Sequence, residues 1–151
     1  MLQRPYEEAL QILRRSETSY ADETGWRTLK QTKWLWQATD KNIVIFKIFA
    51  SRGKKAFQSL LGKDLAQNLV TDRLKSYSTN GRHQYCWAHL KRDFKRIEQR
   101  DGLISTLGKL MGSLCSFLFK CTHERDRGKM NEEEFIKKAK EIKDEFHYLF
   151  K

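Results

Sequence analysis

Three segments rich in β-branched and aromatic residues follow one another with almost no chain between them: Thr18 to Thr28, Lys33 to Thr39 and Asn42 to Ala50. Links as short as Leu29-Lys30-Gln31 and Asp40-Lys41 admit only antiparallel neighbours, because a parallel return needs a crossover long enough to hold a helix. A three-strand antiparallel meander is therefore expected. In its third segment Ile43 and Ile45 alternate with Val44 and Phe46, which predicts a strand covered on both faces.

The flanking segments switch to helical spacing. Pro5 suits a first helical turn, and Tyr6, Ala9, Leu10 and Leu13 recur behind it, so a helix is expected from Pro5 to Arg15. After the break at Ser51-Arg52-Gly53, the spacing of Ala56, Phe57, Leu60 and Leu61 predicts a second helix, stopped by Gly62. A strand at Asn68 to Thr71, a helical turn at Arg73 to Tyr77, a turn at Asn80-Gly81 and a fifth strand from His83 to His89 complete the series. A meander followed by helix-linked strands defines an α/β chain with a mixed sheet and helices on its faces.

Beyond Ala88 the pattern is helical. Leu103, Leu107, Leu110, Met111, Leu114, Phe117, Leu118 and Cys121 form a broad apolar stripe, and Asn131 with Glu134 has the form of a capping box opening a last helix. The apolar stretch from Leu103 to Cys121 is interrupted by Lys109 and Lys120, which argues against a membrane span. An odd number of cysteines, three, and no apolar leader at the start are what a cytoplasmic protein would show. The formal net charge is +11, with 39% hydrophobic residues. That is enough apolar mass for a core, and the charge favours a polyanionic partner, nucleic acid before a membrane.

Two acids stand where chemistry would use them. Asp22 lies inside the first strand segment and Asp72 ends the fourth. If those strands are neighbours, about 4.8 Å apart, both carboxylates reach one spot. Mg²⁺ or Mn²⁺, hard and oxygen-seeking, is the counter-charge such a pair needs.

Five stretches in order then carry a resemblance: Ala21-Asp22-Glu23-Thr24-Gly25-Trp26-Arg27, Trp34-Leu35-Trp36, Ser51-Arg52-Gly53, Val70-Thr71-Asp72-Arg73 with Tyr77, and Cys86 to Phe94, which reads CWAHLKRDF. Together they resemble the catalytic region of the insertion-sequence 66 family transposases. The resemblance implies an RNase H-like fold, a partial catalytic core over residues 1–94 and a helical insertion over residues 95–151. It also implies DNA transposition by metal-dependent phosphodiester cleavage and strand transfer. Asp22 and Asp72 would be the first two catalytic acids and metal ligands, serving two Mg²⁺ or Mn²⁺ ions, with transposon-end and target DNA and other transposase chains as partners.

The family's third acid, a Glu followed by Arg in a later Asn-containing motif, has no match. Asn131-Glu132-Glu133-Glu134 is followed by Phe135 and reads as a helix start; Glu98 is the stand-in that the topology would offer. The expectation is a truncated remnant, inactive alone. Lys91, Arg92, Lys95 and Arg96, with Arg100, form a basic helical face for DNA phosphates, and Arg27, Arg52 and Arg73 would line the approach to the acids. A basic nucleic-acid-binding module without catalysis is the competing reading. Cys86 and His89 have half the spacing of a zinc site, which Cys121 and His123 would have to complete. Cys86 and Trp87 read as core of a buried strand, and Trp26, Trp34 and Trp36 as core residues of their strands.

Overall fold

The computed structural model describes residues 3–63, 67–77 and 82–150. It contains two compact units, Met1–Cys86 and Trp87–Lys151. The turn expected at Asn80-Gly81 lies outside the described residues.

The first unit holds helix α1 (Gln3–Arg14), strands β1 (Thr18–Thr28), β2 (Gln31–Thr39) and β3 (Val44–Phe49), helix α2 (Lys54–Leu61) and strand β4 (Asn68–Thr71). A 3₁₀ turn (Lys75–Tyr77) and strand β5 (His83–Tyr85) follow. The strands form a single sheet in the order β3-β2-β1-β4-β5. β1–β2 and β2–β3 are antiparallel, whereas β4 runs parallel to both β1 and β5. This is the α/β, RNase H-like mixed sheet that the sequence pattern and the resemblance led one to expect.

One face of the sheet carries the core. Leu10 and Leu13 of α1, and Ala56, Phe57, Leu60 and Leu61 of α2, pack on Ala21, Trp36, Ala38, Ile45 and Leu69. Trp36 lies at its centre, with Tyr77 at 5.7 Å and Phe57 at 6.4 Å between ring centroids. The other face is open: Tyr20 and Trp26 of β1 and Val44, Phe46 and Ile48 of β3 stay 44–52% exposed. β3 is thus covered on one side only, against the expectation. It is an edge strand, and both helices of the unit lie on the Ile45 side. Trp26 likewise is not core, since its position in the alternation of β1 puts it on the open face.

The fifth strand is shorter than expected. β5 ends at Tyr85, all three of its residues are exposed, and helix α3 (Trp87–Glu98) begins two residues later. Cys86 and Trp87 are half-buried rather than strand core. An apolar run cannot by itself distinguish a strand from the first turn of a helix; here Trp87 and Leu90 face the same way at helical spacing.

The second unit consists of α3, α4 (Leu103–Asp126) and α5 (Glu132–Leu149). Its core gathers Phe94, Met111 and Cys115, with Trp87, Leu107, Phe119, Phe146 and Leu149 around them. α3 and α4 meet closely at Gly108, where a Cβ would lie 2.3 Å from the backbone nitrogen of Glu98. The capping box is formed: the Glu134 amide donates to Asn131 Oδ1 at 2.8 Å, and Glu134 Oε2 accepts from the Asn131 amide at 3.4 Å. Asn131-Glu132-Glu133-Glu134 is therefore a helix start, as its sequence suggested. By length and composition α4 is long and apolar enough to cross a bilayer, with a mean hydropathy of 1.2.

Candidate metal centre

The parallel pairing of β1 with β4 aligns Thr18 with Asn68, Ser19 with Leu69 and Tyr20 with Val70. Carried two residues further, that register sets Asp22 beside Asp72. A carboxylate oxygen of each lies within 4.8 Å of the other. Asp22 is exposed on the open face, and Asp72 is half-buried just past the end of β4. Asp72 Oδ1 accepts the Leu74 amide at 2.8 Å, and Asp22 Oδ1 accepts the Glu23 amide at 3.0 Å. Each carboxylate thereby keeps an oxygen free of these backbone bonds. Beside Asp72, Thr71 Oγ1 and His83 Nε2 are 2.7 Å apart, joining β4 to β5 next to the acid.

The donor set is hard oxygen, partly open to water, in a pair whose mutual repulsion a divalent cation relieves; these residues fit a hard divalent cation. Within the sheet unit no third carboxylate joins them among the described residues.

The residue that sequence reasoning missed is Glu23. Strand alternation turns it to the covered face, where its side chain is 0% exposed. Arg52 donates to Glu23 Oε1 from Nε and Nη2, each at 2.7 Å, and the Tyr77 hydroxyl donates to Oε2. Burial, and then the hydrogen bond to Glu23 with the charges of Glu23, Asp72 and Asp22, push the Tyr77 hydroxyl far above its ordinary pKa. The Arg52 guanidinium also lies 4.8 Å from the Trp34 ring centroid, and the Arg52 carbonyl accepts from Ser76 Oγ at 2.7 Å. Arg52, expected on the DNA approach, directs Nε and Nη2 at Glu23, while its side chain stays 42% exposed. Four of the five recognised stretches meet here through Glu23, Trp34, Arg52 and Tyr77. The detectable signal was parity: Glu23 shares the face of Ala21 and Ser19.

Of the other basic residues, Arg27 and Arg73 are exposed in the sheet unit, whereas Lys91, Arg92, Lys95 and Arg96 are exposed along α3. Arg96 pairs with Asp93 at 3.5 Å. Cys121 is buried and His123 exposed on α4. Two residues apart on a helix, they face nearly opposite ways and supply no zinc pair.

A parallel β1–β4 junction bearing two carboxylates, inside a sheet of this order, defines an α/β protein of the RNase H-like class. The family profile described as "Transposase IS66 family" matches residues 1–151, and the chain belongs to that family. No curated protein matches it. Among solved structures it is similar to a chain of the "CryoEM structure of simian T-cell lymphotropic virus intasome in complex with PP2A regulatory subunit B56 gamma", at 13% identity and a TM-score of 0.40. That alignment covers 80% of this chain and 45% of the other, so this chain spans less than half of its length.

Proposed function

We propose that the chain carries two acids of a transposase active site, with Asp22 and Asp72 as ligands of Mg²⁺ or Mn²⁺ in phosphodiester cleavage and strand transfer on DNA. The observation that supports this most directly is the β1–β4 register, which brings the two carboxylates within 4.8 Å. A divalent pair in such a site activates the attacking hydroxyl and stabilises the leaving oxygen. The protein's own part is positioning. The backbone amides of Glu23 and Leu74 hold one oxygen of each acid, and the buried Glu23–Arg52–Tyr77 cluster fixes β1 next to Asp22. The partners are transposon-end and target DNA and other transposase chains.

With two acids and no third carboxylate beside them among the described residues of the sheet unit, the chain alone binds the cation weakly and does not turn over. A plasmid-nicking assay with Mn²⁺, paired with Mn²⁺ uptake by electron paramagnetic resonance, tests both statements. The expected result is uptake that disappears in Asp22→Asn and in Asp72→Asn, without nicking. Uptake unchanged in both variants would remove the acids from the metal site and favour a nucleic-acid-binding module without catalysis. Nicking abolished by Asp22→Asn would show that another acid completes the site.

A further inference from the structure

Helices α3 and α4 are pinned together where Gly108 meets Glu98, and an open groove of about 790 Å³ runs between them. Lys91 and Lys95 line one wall. Lys109, Ser113, Phe117 and Lys120 line the other. The α4 residues recur at helical spacing along about 16 Å of axis, so the wall is one continuous stripe. Four lysines face a single carboxylate, Glu98. Lys91, Lys95 and Lys109 have no ion pair among the described residues, and Lys120 has only Glu124, at 3.9 Å and largely exposed. Such an excess of unneutralised positive charge is electrostatically unfavourable unless an anion enters.

Phe117 is the second observation. It is 44% exposed among these lysines rather than turned into the core of its unit, which α4 fills with Met111 and Cys115. Basic side chains that track a backbone, combined with an open aromatic face, are what single-stranded nucleic acid requires: phosphates on the lysines and an unpaired base on the ring. A duplex buries its bases and has no use for the ring. We infer that the α3–α4 groove binds single-stranded nucleic acid, with Lys91, Lys95, Lys109 and Lys120 on the phosphates and Phe117 as the stacking platform. The inference rests on the proposed function only in taking nucleic acid as the polyanion; it needs neither acid nor metal.

The test is fluorescence anisotropy with a labelled oligothymidylate and a duplex of equal length, in chelator, so that failure of the carboxylate reading leaves the result untouched. Gln at all four groove lysines should weaken oligothymidylate binding at least about tenfold and flatten the log–log salt slope by nearly 3, at about 0.7 for each phosphate no longer neutralised. Gln at four exposed lysines elsewhere in the same unit, Lys129, Lys137, Lys140 and Lys143, is the charge-matched control and should do much less. Phe117→Ala should weaken single-strand binding about tenfold with little change for the duplex, and Phe117→Trp should restore it. Equal losses in the two lysine variants would overturn the inference. So would an oligothymidylate affinity indifferent to Phe117→Ala.

Discussion

Glu23 carries a charge into the covered face of β1, and it is held there because Arg52 and Tyr77 take up both of its oxygens. Removing one partner of a buried pair leaves the other uncompensated, a loss of about 3–5 kcal/mol. Arg52→Ala is therefore expected to cost about 3 kcal/mol in urea unfolding, a stability defect appearing before any loss of DNA affinity. Tyr77 adds a pH dependence. Its pKa is raised above 10.0 by burial and by Glu23, so the folded state binds the phenolic proton more tightly than the unfolded chain. This contribution is complete below pH 10 and is lost as pH rises above it toward the folded pKa. The urea midpoint should fall between pH 10 and 11, and Tyr77→Phe should flatten that fall; an equal alkaline fall in the variant would assign it to another group. Asp22 was legible because an acid in a strand segment stands out. The desolvation cost that drew attention to it falls on its neighbour, however: Asp22 faces water and Glu23 does not. The alternation of Ser19, Ala21 and Glu23 on the buried face was readable, but which face the helices cover depends on the fold.

At the scale of elements, the meander, both helices of the sheet unit and the capping box of α5 follow from local rules of turn length, periodicity and caps, and these were visible in the sequence. The strand–helix boundary at Cys86 was not, because the apolar letters of His83 to His89 serve both structures. The two-sided β3 failed because the occupancy of a sheet face is set by tertiary packing rather than by the strand's own letters. Gly108 is another such case: nothing local marks it, yet its missing Cβ permits the close approach of α4 to the backbone of Ile97 and Glu98. Gly108→Ala would gain helix propensity of about 1 kcal/mol if the site were open. The backbone 2.3 Å away cannot yield like a flexible side chain, so the substitution should instead lower the melting temperature. The β1–β2 turn gives the opposite sign. Leu29 sits at φ 54°, 99% exposed, and packs on nothing that would compensate. Left-handed backbone costs a branched residue about 1–2 kcal/mol, so Leu29→Gly should raise the melting temperature by a few degrees, and a drop would show that the side chain contributes packing of its own.

Over the whole molecule, two units with separate cores divide the chemistry as well as the chain: the acids belong to the sheet, the basic groove to the helices. The sheet unit holds two carboxylates within 4.8 Å, a repulsion that folding imposes and that a cation relieves. Divalent metal should therefore stabilise the first unit specifically. Linkage sets the size, about 2.7 kcal/mol at a free metal concentration of a hundred times the dissociation constant. Hydrogen exchange with and without Mn²⁺ separates the units. Amides of β1 and β4 should gain protection, whereas those of α4 and α5 should not. Asp22→Asn removes one charge of the pair, so without metal it should slow exchange in β1 slightly, and with metal it should add nothing further. A variant that is more stable without metal yet deaf to it shows that the carboxylates are kept against the stability of the fold, which is the expected mark of residues retained for binding. Uniform protection of both units by Mn²⁺ would mean that the ion binds elsewhere, and the two carboxylates would then be neighbours in the sheet without a shared task.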